Sequence, residues 1–304
     1  MPDSNYSSAG ATQRRTCRLC GRPDPDALYT VEGYAIERCP DCALVQVRDE
    51  PDPAVLDRIY AALHVKHQTY RAESAARREN ERRVDLLRRL VPPGASVLDA
   101  GCATGDFLEP AKATFRMSGM DVSEGAVEVA RRRQPELHKR LLVGRIEDWP
   151  PAFRSFDAIC LWDVIEHLWD PVSACRAMFD HLSPGGLLFL STPDAGALAA
   201  RLMGPRWAFM IPPEHLSLFA RKSFRHMFDA VVPGEIVRHV SQGKWTNVAF
   251  LVYKLNRMAG NRMPQAVMNW AARSAFGRAL VYIPTRDIQY LAVRKPADGV
   301  GSST

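Results

Sequence analysis

Four cysteines of this chain stand in two C-x2-C pairs, Cys17 with Cys20 and Cys39 with Cys42, and 18 residues separate the pairs. A two-residue spacer lets one turn aim both thiolates at a single point. Two such turns supply four sulfur ligands, the tetrahedral set that zinc prefers. The spacing falls within the ~15–20 residues of a zinc ribbon. Four thiolates close the coordination shell, so the expected zinc is structural. Two disulfides in an exported chain, or a redox-active pair, are the alternatives. No apolar leader supports the first, and no strand–helix pattern around the cysteines supports the second. Cys102, Cys160 and Cys175 read as ordinary reduced residues in apolar or tightly turned contexts.

A second group of chemistry-bearing residues follows an apolar strand. Ser96 to Gly101 ends in an acid and a glycine, and the run Asp99 to Gly105 reads D-x-G-x-x-x-G. A dinucleotide site presents bare backbone N–H groups to a pyrophosphate. Here Asp99 would place a carboxylate beside that pyrophosphate, which is repulsive. The same carboxylate suits a cationic ligand, and S-adenosylmethionine carries an ammonium and a sulfonium with no phosphate. Asp121, with Val122 after it, stands 20 residues past Gly101 at the end of the next strand. An acid there can accept both hydroxyls of a ribose. The alternative is a plain tight turn with two surface acids.

These residues carry a resemblance. The segment VLDAGCATGDFL, Val97 to Leu108, resembles the first motif of the class I S-adenosylmethionine-dependent methyltransferases. GRIEDWP resembles that family's loop beside the adenine. FDAICLWDVIEHLWDP resembles its fourth strand with the following acid, Asp163, in the style of the ubiquinone-biosynthesis group. HLSPGGLLFLSTPD resembles its fifth strand. The resemblance covers about residues 70 to 240 and implies a cofactor site formed by Asp99, Gly101, Gly105, Asp121, Val122, Glu147 and Asp163. Many relatives carry Asp where this chain has Arg145, so Glu147 or a backbone group near Ile146 takes the adenine contact.

Methyl transfer is an in-line displacement at the sulfonium methyl, and the protein must position the acceptor. A hydroxyl or carbon acceptor also needs a base. Bases belong at the carboxyl ends of the strands, where open α/β sheets bind ligands. His167, in Asp163-Val164-Ile165-Glu166-His167, follows the fourth strand. His215, in Pro212-Pro213-Glu214-His215-Leu216, lies beyond the fifth. Either could instead be a hydrogen-bonded structural residue. The Glu214–His215 pair also resembles the Glu-His pair of the sugar C-methyltransferases, which likewise begin with a four-cysteine segment. Those enzymes have a further C-terminal domain that is not seen here.

The elements that must hold these groups alternate between strand and helix. Strands are expected at about 95–100, 117–122, 141–144, 156–162 and 186–192, and helices at about 105–116, 123–133 and 172–182. That alternation means a mostly parallel, Rossmann-like sheet covered on both faces, of the α/β class. The resemblance raises it to seven strands, with 235–241 and 287–294 as a last antiparallel pair. A disordered leader is expected over 1–14, a zinc-binding segment over 15–48 with a hairpin at Gly33, and a helical linker over 49–91. The linker holds helices from about Pro53 to Leu63 and Tyr70 to Leu90. The second carries seven arginines and reads as a solvated face with Glu79–Arg83 and Asp85–Arg89 pairs. The main domain spans 92–296, and 297–304 is a tail.

A helical insertion is expected at about 244–282, with apolar residues such as Phe250, Met268, Trp270 and Phe276. It reads as a packed helical pair, a lid over the substrate, or a peripheral membrane contact through 246–282 with a cationic rim at Lys254, Arg257, Arg262 and Arg273.

The chain has 304 residues, 46% hydrophobic and 24% charged, with net charge +6. Such a composition excludes a wholly disordered or collagen-like chain. Without an apolar leader or a spanning helix, a cytoplasmic protein is expected. The expected activity is methyl transfer to a small-molecule acceptor, a sugar, polyketide or lipid-linked precursor, with His215 as base beside Glu214 and His167. An RNA methyltransferase, a binding module on the same scaffold and a nicotinamide-dependent enzyme are the other readings. Pro212-Pro213 is followed by Glu214 and not by an aromatic residue, which disfavours the first.

Overall fold

A computed structural model describes residues 15–52, 54–56, 73–146, 148–149, 155–258, 260 and 262–297. The expected leader, Glu147, the tail beyond residue 297 and most of the expected helix from Pro53 to Leu63 lie outside the described residues.

The small N-terminal sheet is built on two turns. Strands β1 (Asp26–Val31) and β2 (Tyr34–Arg38) pair antiparallel across Glu32 and Gly33, whose φ values are both positive, +50° and +87°. Two such residues make the tight turn whose twist matches a hairpin. Strand β3 (Val45–Val47) continues the sheet.

Helix α1 (Glu73–Arg88) leads into β4 (Ser96–Ala100). There follow α2 (Leu108–Ala111), β5 (Arg116–Asp121), α3 (Glu124–Arg133) and β6 (Leu141–Val143). The second half holds β7 (Phe156–Trp162), α4 (Pro171–Asp180), β8 (Leu182–Pro193) and α5 (Leu198–Met203). Strand β9 (Ser217–Leu218), α6 (Arg221–His226) and β10 (Glu235–Asn247) come next. Helices α7 (Val248–Met258), α8 (Gln265–Arg273) and α9 (Ala275–Arg278) precede β11 (Leu280–Arg294).

The main sheet has seven strands in the order β10-β11-β8-β7-β4-β5-β6. Strands β8, β7, β4, β5 and β6 are mutually parallel, and β11 runs antiparallel to β8 and to β10. This is the expected Rossmann-like α/β sheet. The chain leaves β4 towards β5 on one side and returns as β7 on the other. Ligands bind at such a reversal, outside the carboxyl ends of the strands.

Alternate side chains of each central strand feed opposite layers. Leu98, Ile159 and Leu188 face Met178 and Phe179 of α4. Val97, Ala158 and Phe189 face Val84 and Leu87 of α1 with Val127 of α3. Burial on both faces explains the near-continuous apolar runs in these strands.

Three elements differ from expectation. The helix expected over 105–116 contracts to Leu108–Ala111, because Gly105 is left-handed at φ +80° and Pro110 lacks an N–H. The last two strands run to Asn247 and from Leu280, so the helical insertion fills only the span between them. Most consequential, β9 joins β3, and the small sheet reads β1-β2-β3-β9. The cysteine segment is thus sewn to the chain just after His215.

Candidate functional site

The turn after β4 shapes the first half of the site. Gly101 has φ +86°, and a Cβ there would fall 2.5 Å from Cγ2 of Val164. A Cβ on Gly105 would fall 2.7 Å from Nε2 of Gln134, which donates to the Gly105 carbonyl. Both positions require glycine: the backbone is left-handed and the space is taken.

Asp121 ends β5 and holds this loop. Its Oδ2 accepts from the amide of Ala103 at 2.8 Å, and its Oδ1 from that of Ser123 at 2.9 Å. A carboxylate oxygen has two lone pairs. Each oxygen can therefore accept one further bond, as from a vicinal diol. Val122 beside it is 52% exposed, an apolar side chain left uncovered at the rim.

Asp99 is 2% exposed at the end of β4. Burial raises its carboxyl pKa to about 7; the Arg83 charge opposes the rise and Asp121 adds to it. A buried acid poised near neutrality gains most from a cation placed beside it.

Arg83, expected on a solvated helix face, is buried. Its Nη2 pairs with Oδ2 of Asp163 at the end of β7, its Nη1 donates to Asn80 Oδ1 at 3.2 Å, and its guanidinium lies 5.2 Å from the Trp162 ring. Glu79 turns to Tyr290, whose hydroxyl donates to it, and to Arg82 at 3.6 Å. Asp85 pairs with Arg88, not Arg89. The narrow stripe of Val84 and Leu87 carried a signal for this: residues one turn away from a buried stripe lie at its edge. Asp163, at φ +56°, also accepts from Ser191 Oγ at 2.9 Å. Arg82 further lines a groove of about 310 Å³ with Arg78, Arg238 and Trp245.

The second half of the site is a histidine pair. The rings of His167 and His215 meet edge to face with centroids 4.9 Å apart. His167 Nδ1 lies 2.6 Å from the carbonyl oxygen of Glu214, and His215 Nδ1 lies 2.8 Å from that of Phe209. A carbonyl only accepts, so Nδ1 carries the proton in both rings and Nε2 is the basic nitrogen. Burial lowers the His167 pKa. Phe209 stacks on His215 at 6.2 Å. Glu214 contributes its carbonyl to this arrangement. Glu166 is 1% exposed, accepts from Thr192 Oγ1 at 2.8 Å, and is driven well above the carboxylate range by burial and by Asp163. Its nearest ligand oxygen lies within 4.8 Å of nitrogens of both histidines.

One segment joins the halves. Val164 packs on Gly101, Asp163 holds Arg83, and the Glu166 carbonyl accepts from the amide of Leu216 at 2.8 Å. The structure thus brings Asp99, Gly101, Asp163, His167 and His215 to one end of the sheet. Gly105 lies in the loop after β4, Asp121 ends the neighbouring strand β5 with Val122 just beyond it, and Glu147 is outside the described residues.

The four cysteines form a separate centre. Their sulfurs all lie within 4.8 Å of one another, and Cys17–Cys42 and Cys20–Cys39 are each 3.5 Å apart. Tetrahedral sulfurs ~2.3 Å from a zinc ion stand ~3.8 Å from each other, so the residues fit the metal. Each pair sits in a turn closed by a backbone bond, Gly21 N–H to Cys17 and Ala43 N–H to Cys39, both 2.9 Å. Arg18, between the first two cysteines, reaches the Leu216 carbonyl and stacks 3.9 Å from the Trp169 ring. No local pattern points to this bridge, because it joins residues 198 apart in the chain.

A family model described as "Methyltransferase domain" matches residues 67–231. The chain is 33% identical over 156 residues to the ubiquinone biosynthesis O-methyltransferase of Xanthomonas axonopodis pv. citri, covering 49% of this chain and 61% of that one. It is 36% identical over 104 residues to a Mycolicibacterium smegmatis protein named "Probable S-adenosylmethionine-dependent methyltransferase", covering 33% and 39%. The chain thus spans about three fifths of the length of the first of these relatives. Among solved structures, the YcgJ protein of Bacillus subtilis shares the fold at a TM-score of 0.51 and 15% identity, covering 71% of this chain and 98% of that one. A Bacillus halodurans protein does so at the same score and identity, covering 70% and 98%.

Proposed function

The chain belongs to the methyltransferase-domain family, and from that premise we propose that it transfers a methyl group from S-adenosylmethionine to a hydroxyl of a small-molecule acceptor. The observation that carries the reading is the Asp163–His167 segment, which touches the glycine turn at Gly101 and the histidine pair through Leu216. The Gly101 and Gly105 cradle, the uncovered Val122 and the buried Asp99 fit the cofactor.

When bound, S-adenosylmethionine supplies an electrophilic methyl on a sulfonium. Asp121 would accept from the ribose hydroxyls while holding the loop through Ala103 and Ser123. Asp99 would stand beside the cationic amino-acid end, with Asp163 and Arg83 as the ion pair that braces it, and Val122 would cover the base. His215 Nε2 would take the acceptor's hydroxyl proton as the acceptor oxygen attacks, and the imidazolium would then return that proton to water. The Phe209 carbonyl keeps His215 in the tautomer this requires, and His167 holds the Glu214 turn beside it. The Xanthomonas relative is named an O-methyltransferase of ubiquinone biosynthesis, which supports a hydroxyl acceptor.

A second reading, carbon methylation of a glycosyl acceptor, is favoured by the four-cysteine segment lying against Glu214–His215. In both readings Cys17, Cys20, Cys39 and Cys42 hold a structural zinc.

Thermal unfolding with S-adenosylhomocysteine tests the cofactor assignment. At ~100 times its dissociation constant the ligand adds ~2.7 kcal/mol, a rise of several degrees. Absence of any rise in the wild-type protein would remove the basis of the proposal.

A further inference from the structure

The insertion between the last two strands carries charge of one sign: from Val248 to Ala279 it has five Lys or Arg and no Asp or Glu. With the flanking strand residues, Ile236 to Arg286, the count is eight against none, a local +8 beside a net +6 for the whole chain. Solvated helical surfaces ordinarily mix both signs, which favours solubility and suppresses association with one-signed surfaces.

The same segment leaves large apolar side chains in solvent. Trp270 is 59% exposed, Phe276 62%, Leu255 46% and Val267 43%. The rings of Trp270 and Phe276 are 6.2 Å apart, so they form one aromatic patch. Exposed Arg273 and Arg278 stand on the same two helices, and exposed Arg262 lies just before α8. On α8, Met268 and Ala271 face inward while Val267 and Trp270 face outward.

This is a built element. A Cβ on Gly277 would fall 1.6 Å from the Ala271 carbonyl oxygen, so α9 sits tightly on α8. Ser274 caps α9 through the Gly277 amide at 2.9 Å. The Met263 amide donates to Asn256 Oδ1 at 2.8 Å, closing the turn after α7.

We propose that α7–α9 dock the protein on an anionic lipid bilayer, with Trp270 and Phe276 inserted at the headgroup level and the arginines against lipid phosphates. Aromatic side chains favour that depth, where one end of the ring is apolar and the other wet. Each cation near such a surface adds ~1 kcal/mol. No helix among the described residues is long and apolar enough to cross a membrane, so the contact is peripheral.

The docked face adjoins the acceptor side. Lys254 of α7 donates to the Ala208 carbonyl at 3.2 Å, and Lys244 lies 4.0 Å from the Phe209 ring, which stacks on His215. Delivery of a lipid-borne acceptor to His215 rests on the methyl-transfer reading. The docking itself does not.

The test is co-sedimentation of the full chain with vesicles of phosphatidylcholine, alone or with about a third phosphatidylglycerol. Three proteins are compared: wild type, Trp270→Ser with Phe276→Ser, and Arg273→Glu with Arg278→Glu. Wild type should pellet with the anionic vesicles only, and added salt should release it. Each double variant should lose at least about tenfold in partitioning, with the S-adenosylhomocysteine thermal shift kept as proof of folding. Wild type that stays in the supernatant overturns the proposal, as does equal binding by all three. Concentration-dependent dimers of wild type that are lost in the aromatic variant, without vesicle binding, would assign the patch to a second copy instead. A missing thermal shift with intact vesicle binding would sink the methyl-transfer reading alone.

Discussion

The amide of Val47, in the last strand of the cysteine segment, donates to the carbonyl of Leu216 at 2.9 Å, one residue past His215. Arg18 reaches the same carbonyl from between two cysteines. The cysteine segment therefore sets the backbone that presents the histidine.

Replacing Cys39 by Ser should release the zinc and loosen β3 from β9. The expected result is less than one zinc per chain by atomic absorption, a Tm lowered by several degrees, and an acceptor KM raised more than tenfold. The S-adenosylhomocysteine shift should survive, because the glycine loop is held by Val164, Gln134 and Asp121. A lost shift would mean that the two halves do not fold separately.

Asp121→Ala removes the acceptor of two backbone amides and the proposed ribose partner. Cofactor affinity should drop at least about a hundredfold, since each of the two proposed hydroxyl-to-carboxylate bonds is worth ~1.5–3 kcal/mol. Isothermal titration measures it. Unchanged affinity would remove Asp121 from the site.

Asp99 gives a pH dependence with a defined sign. Its folded pKa, about 7, lies above the 3.8 of a free Asp carboxyl. The folded state therefore holds the proton more tightly, and this group's contribution to stability declines as pH rises from about 4 through 7. A cation beside it reverses that cost. The thermal shift from S-adenosylhomocysteine, which keeps the ammonium, should be larger at pH 8 than at pH 6. Asp99→Asn should flatten the difference.

Arg83→Met leaves Asp163 without its partner. Breaking a buried ion pair costs ~3–5 kcal/mol; Asp163 is 42% exposed on its side chain, so the lower end is expected. Arg83→Lys should recover little, because one ammonium cannot serve Asn80 and Asp163 in the fork geometry. Urea unfolding of both variants checks the order.

His215→Ala should lower kcat by ~10²–10⁴ with the cofactor shift unchanged. His167→Ala should act through the Glu214 turn and raise the acceptor KM more than it lowers kcat. Equal kcat losses in the two would make the pair, not His215 alone, the base.

The central sheet was readable because each strand is an apolar run ended by a turn residue: Ser96–Ala100 before Gly101, Phe156–Trp162 before Asp163. Local spacing also carried the cysteine cluster. What escaped were contacts between distant segments. Arg83 looked like one more cation on a helix until Asp163 came to it across the fold. Ser217–Leu218 is too short to read as a strand and is one only because β3 offers it an edge. The helix after Gly105 is shorter than its strand–loop–helix pattern predicts, because Gly105 is left-handed and Pro110 restricts the residues before it.

The small four-stranded sheet has a consequence for the order in which the protein is made. Arg18 and its partner Leu216 are 198 residues apart. A ribosome adding ~5–20 residues per second needs roughly 10–40 s to span that gap. For that time the cysteine knuckles are outside the ribosome without their last strand. If the four thiols hold zinc as proposed, they must stay reduced and take up the metal during the wait. Zinc starvation would then be felt first in newly made chains.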